Sequence, residues 1–199
     1  MTSVNKQPRN LTITSMDEEI QNWVYNFVSR PNPLLNNFPP CPFAKKAWLD
    51  KKVWVSVKSK GSRYKAELNN CLKNLNFSIS EILIFCDPYY SYSSNDLHFV
   101  TEEYNDYYNK EDMYFMSFHP NNPATAEDQE FLVAPGGEIP KVESDLKYSM
   151  MLVQKFSQLQ EASDKLKKQG YYKQWPDEYY RDVVVSRNNK YKKINGGLS

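Results

Sequence analysis

Two apolar rhythms alternate along the middle of this chain, and the alternation limits its fold more than any other feature. Over 52–58, Val53, Val55 and Val57 recur at every second position, the period of a half-buried strand. Tyr64, Leu68, Cys71, Leu72 and Leu75 then take the three-and-four spacing of a helix face. The unbroken apolar run 82–86 suits a strand covered on both faces, and Asp87-Pro88 ends it. Ser94 is placed to cap a helix carrying Leu97, Val100, Tyr104 and Tyr107 or Tyr108, and 113–118 is a further strand. Strand, helix, strand, helix, strand predicts a layered α/β fold: a small sheet of three to five strands with helices, in a single domain.

The flanks are read in the same way. Ser15 to Glu18 has the form of a capping box, and Ile20, Trp23, Val24, Phe27 and Val28 continue it as an amphipathic helix before Pro31. A Pro/Asn-rich connector over 31–40 leads to a short helix ending near Trp48. Regularity fails from His119 to about Glu143, with Phe131-Leu132-Val133 as a short edge strand. Tyr148, Met151, Leu152, Phe156, Leu159, Ser163 and Leu166 predict the longest helix, closed by Gly170. The expected organisation is a flexible lead over 1–14, an α/β domain over 15–170 and a partly basic C-terminal extension over 171–199.

At 199 residues the chain is long enough to bury one core, and 15% aromatics offset a modest 40% of apolar residues. A net charge of +1 demands neither nucleic acid nor a membrane as a bulk partner. The 20 lysines, 5 arginines and 19 asparagines fit an A·T-rich genome, a viral one among them. Three cysteines at unrelated spacings make no disulfide framework and no zinc motif. The polar start has no apolar signal core, and no apolar run approaches the ~20 residues of a membrane span. The expected setting is therefore cytoplasmic, with no membrane partner and nucleic acid disfavoured.

Cys41-Pro42-Phe43-Ala44, between Pro39-Pro40 and Lys45-Lys46, is the first candidate site. Proline suits the first turn of a helix, so Cys41 is placed near a helix start, where the dipole and the two lysines favour a thiolate. The rival reading is a small buried residue pinning a turn. His119, where a strand ends and an irregular loop begins, is the candidate acid/base partner. Pro42, Phe43, Lys45, Lys46 and Tyr89 are the expected binding residues; Tyr89 with Tyr90 and Tyr92 reads as an aromatic ligand wall, a protein contact or surface packing under a loop. Cys71 and Cys86 read as core, and His98 as an ordinary helix residue. Metal binding by Cys41, His119 and a carboxylate has no spacing signature behind it, so no metal is assigned. The cofactor is unknown and the partner expected is a small molecule. Arg187, Lys190, Lys192 and Lys193 read as a solvated basic terminus.

These motifs resemble the bacterial family known as domain of unknown function 1415. The family's Cys-Pro-Phe-Ala, strand-then-proline and Phe-His-Pro motifs match Cys41 to Ala44, Ile82 to Pro88 and Phe118 to Pro120, in that order. The resemblance covers about Asp17 to Ser163 and implies a shared site but lends no reaction. The family's later helix carries a histidine and an arginine, and the corresponding helix here has neither. Cys-Pro-Phe-Ala before a basic helix is also similar to the turn of omega-type glutathione transferases and glutaredoxin-like proteins, with Ile139-Pro140 and Glu143-Ser144 as their proline loop and acid-serine helix start. Three functions follow as expectations. An enzyme holds Cys41 within hydrogen-bond or one-water reach of His119; a thiol transferase uses glutathione. In a non-catalytic binding or assembly protein, Cys41 is buried and inert.

Overall fold

A computed structural model describes residues 13–32, 35–120 and 147–196. Helix α1 (Ile13–Trp23) starts two residues before the predicted cap, so Ser15 lies inside its first turn. It turns inward with Met16, Ile20 and Trp23, all buried. It runs into one wide turn, Val24–Val28, closed by Ser29 N–H donating to the Val24 carbonyl at 2.8 Å. The connector then gives the short helix α2 (Ala44–Leu49).

Strand β1 (Val53–Val57), helix α3 (Tyr64–Asn74), strand β2 (Ile82–Asp87), helix α4 (Ser94–Tyr108) and strand β3 (Met113–Phe118) follow as the alternation predicts. Ser93 caps α4, its Oγ accepting from Asp96 N–H at 3.2 Å. Strand β4 (Ser149–Lys155) corrects the sequence reading, which runs a single helix through Tyr148 to Leu166. Only helix α5 (Phe156–Gln169) is helical there. A run such as Ser149 to Val153, buried on both faces, has no amphipathic period, and a few apolar positions fit either rhythm.

The strands order as β1-β2-β4-β3. β1 and β2 are parallel, and β4 is antiparallel to both its neighbours, so β1, β2 and β3 all point one way. Each face of the sheet has its own core. Leu83, Phe85, Phe115, Met151 and Val153 pack under α3 and α4 with Leu68 and Leu97. Ile84, Cys86 and Met150 pack under α1 with Ile20 and Trp23, joined by Val53, Val55, Val57 and Phe118. The expected edge strand at Phe131-Leu132-Val133 lies outside the described residues.

Asp112, in the left-handed region at φ 59°, joins α4 to β3 and caps α5 from outside. Its carboxylate accepts from Ser157 N–H and Ser157 Oγ, both at 2.7 Å. Gly170 ends α5 at φ 84°, a conformation that glycine adopts without strain. Beyond it, Tyr171, Leu166 and Leu35 form a third apolar cluster that ties the connector to the end of α5.

Helix α6 (Asp177–Tyr180), a wide turn (Arg181–Val185) and helix α7 (Ser186–Gly196) complete the described chain. This region is no loose basic tail. Arg187 is buried and donates to Ser163 Oγ at 2.8 Å, Lys190 pairs with Glu102 at 2.7 Å, and Tyr191 meets the Phe156 ring at 5.0 Å. Lys192 and Lys193 are exposed, as expected of a solvated face.

Asn105 is fully buried and fixes α4 to β3. Its amide donates to the Phe115 carbonyl at 3.1 Å and its carbonyl accepts Phe115 N–H at 2.8 Å. Asn105→Ala strands two buried backbone groups at ~1–3 kcal/mol each. A loss of about 2–6 kcal/mol in urea unfolding is the expected result, with an unchanged m-value.

Candidate functional site

The two sequence candidates sit in different layers. Cys41 belongs to the layer under the α1 face: its N–H donates to the Val28 carbonyl at 2.9 Å, at the end of the wide turn. Its carbonyl accepts Ala44 N–H at 3.3 Å, and the neighbouring Pro40 carbonyl accepts the Tyr171 hydroxyl at 2.8 Å. His119 follows β3 and faces α4 across a cleft on the opposite side of the sheet. Cys41 is not among the residues that line this cleft.

The charge state of Cys41 also differs from expectation. Burial pushes its thiol up, and the backbone N–H groups of Phe43 and Ala44 pull it down without reversing the shift. Phe43, not Cys41, occupies the cap position of α2, a helix of only 6 residues with little dipole to offer. The lysines are engaged elsewhere. Lys46 pairs with Asp50, and the Lys45 ammonium lies 5.8 Å from the Tyr25 ring centre. Pro42 is half-buried and Phe43 exposed beside this turn. Cys41 itself is half-buried, with its backbone N–H and carbonyl both engaged in the turn.

The other thiols behave as core residues. Burial pushes Cys86 up to about 12, with the carboxylates of Asp87 and Asp17 adding to the effect. Cys71 contacts Ser56 Oγ at 3.2 Å and is likewise raised by burial.

Polar chemistry gathers instead at the C-terminal ends of the three parallel strands. Lys58 follows β1, Asp87 ends β2 and His119 follows β3, and all three are buried. Ser149 starts β4 opposite Asp87, and its Oγ has no hydrogen-bond partner among the described residues. The pairing of Phe118 with Met150 places His119 next along the same ladder, beside Ser149.

Asp87 shapes the loop above. Its two oxygens accept Tyr89 N–H at 3.0 Å and Ser91 N–H at 2.8 Å. This holds Tyr90 at φ 51°, an unfavoured conformation for a non-glycine residue. The Tyr90 ring stands edge-on to His119 at 5.7 Å, and its hydroxyl donates to the Lys147 carbonyl. Tyr89, the expected binding residue, is exposed at this edge with the Lys58 ammonium 5.4 Å from its ring centre.

Beside His119 a cleft of about 190 Å3 opens, lined by Ser94, Asn95, His98, Ser117 and His119. His98 is exposed on α4, as expected of an ordinary helix residue, and it also lines this cleft. The missed signal is spacing: Ser94 and His98 lie one turn apart at the start of α4, which the strand-loop-helix order delivers to the same sheet edge as His119.

Among the described residues no group of three or more histidine, cysteine or acidic side chains could hold a metal, and no helix is long and apolar enough to cross a membrane. The glutathione-transferase comparison expects a cysteine directly after a strand, whereas Cys41 follows α1 and its connector and precedes β1. Its other elements, Ile139-Pro140 and Glu143-Ser144, lie outside the described residues. No protein-family model, curated protein or solved structure matches this chain.

A raised thiol pKa means less thiolate than a free cysteine holds at the same pH. Alkylation of Cys41 in the native protein is expected to run slower than that of a cysteine peptide from pH 6 to 8, and to match it only after unfolding. Rapid labelling below pH 7 that is lost in Cys41→Ser would contradict this.

Proposed function

We propose that this protein binds a small anionic molecule, carrying a carboxylate or a phosphate, at the C-terminal edge of its parallel strands. The observation behind this reading is that His98 and His119, distant in sequence, line one cleft between α4 and β3. Open α/β sheets take ligands at this edge. The two imidazoles supply directional N–H donors, and the start of the 15-residue α4 adds the positive end of a helix dipole. At ~30 Å3 per water, the cleft has room for about six waters, which matches a carboxylate or phosphoryl group with a few further atoms.

His119 is the group assigned to contact the ligand and to exchange a proton with it. Tyr90 and Asp87 are positioning residues, Asp87 acting through the loop that it folds. Cys41 has no part in this site. Kinship with the Cys-Pro-Phe-Ala family belongs to the same proposal and is supported by the order of the motifs, with His119 as the residue that links motif and cleft.

Titration with inorganic phosphate and with acetate, followed by NMR of the imidazole and backbone signals, tests the reading. Saturable shifts at His98, His119, Ser94 and Asn95 are expected. They should vanish in His119→Ala. Shifts confined to exposed lysines, or unchanged in His119→Ala, would overturn it.

A further inference from the structure

The two edges of the sheet are finished differently. On β3, the carboxamide of Asn105 occupies both outward backbone groups of Phe115. On β1, the Lys52 carbonyl accepts Ile82 N–H at 3.1 Å and Lys58 N–H donates to the Cys86 carbonyl at 2.8 Å. Even-numbered residues therefore turn their backbone toward β2. By the alternation of a strand, Val53, Val55 and Val57 turn theirs outward. Among the described residues no strand pairs with that side.

Natural edge strands discourage pairing with proline, bulges or a charge in mid-strand, and Val53–Val57 contains none of these. Its cations stand at the ends instead. Lys51 and Lys52 precede the strand and Lys60 follows it, none in an ion pair with a described residue, while Lys58 is buried with its ammonium donating to the Ser59 carbonyl at 3.3 Å. Two of the most exposed large apolar side chains, Leu49 at 63% and Ile79 at 66%, lie on the segments leading into β1 and β2 at this same end of the strands.

We propose that the open edge of β1 takes up an extended segment of another protein as an added antiparallel strand, one with apolar residues at alternate positions and carboxylates at both ends. Backbone bonds to Val53, Val55 and Val57 supply the attachment. Charge selects the occupant. In a second copy pairing β1 with β1 about Val55, Lys52 falls opposite Lys58 at both ends, and like charges directly opposite destabilise a sheet. Acidic ends turn both repulsions into attractions.

The probe is the capped peptide Glu-Val-Thr-Val-Thr-Val-Glu, compared with the same peptide ended by lysines. With the acidic peptide, amide exchange at Val53, Val55 and Val57 is expected to slow about tenfold or more, while the lysine-ended peptide leaves it unchanged. Val55→Pro removes an N–H that β2 does not use, so it is expected to keep the native circular dichroism and to weaken peptide binding about tenfold or more. Four results would each overturn the proposal: equal effects of the two peptides; undiminished binding by Val55→Pro; protection of these three amides without any peptide; and a dimer of the free protein that Val55→Pro dissociates.

Discussion

Every side chain from Leu83 to Asp87 is buried, and a strand dry on both faces needs a covering layer on each. Leu83 and Phe85 require the α3–α4 layer, and Ile84 and Cys86 require α1. Each large apolar side chain buried in this way contributes about 1.5–3 kcal/mol, enough to fix the register of the strand. Both crossover helices, α3 and α4, lie on one face, as expected when successive parallel strands advance in one direction with one handedness. β4 then enters antiparallel between β2 and β3.

The same arrangement brings the chemistry to one edge. Parallel strands share a C-terminal edge, so Lys58, Asp87 and His119 arrive together although 61 residues separate the first from the last. Asp87 spends its carboxylate on two loop amides, and the folded loop presents Tyr90 to His119. The start of α4 closes the opposite side. Positions that look unremarkable one by one thus acquire a common surroundings from topology.

Much of the architecture was legible because its signals are local. The alternation of Val53, Val55 and Val57, the helix face of Leu68 and Cys71, and the apolar run into Asp87 each announce an element without reference to the rest. β4 was not legible, because Ser149 to Val153 is covered on both faces, which removes the period that separates strand from helix. At the site, His119 could be singled out from its position at a strand end. His98 could not, since its partner stands across the sheet-helix gap and sequence carries no record of that approach. Prolines and lysines beside a thiol resemble an activating environment, yet burial of the sulfur and the engagement of Lys45 and Lys46 elsewhere are tertiary facts.

At the strand ends His119 is grouped with Tyr90 and His98, in a cleft that Cys41 does not line. Nuclear Overhauser contacts of the His119 ring protons examine it most directly. Cross-peaks to the Tyr90 ring and to the first turns of α4 are expected. Cross-peaks to the β-protons of Cys41 would contradict it.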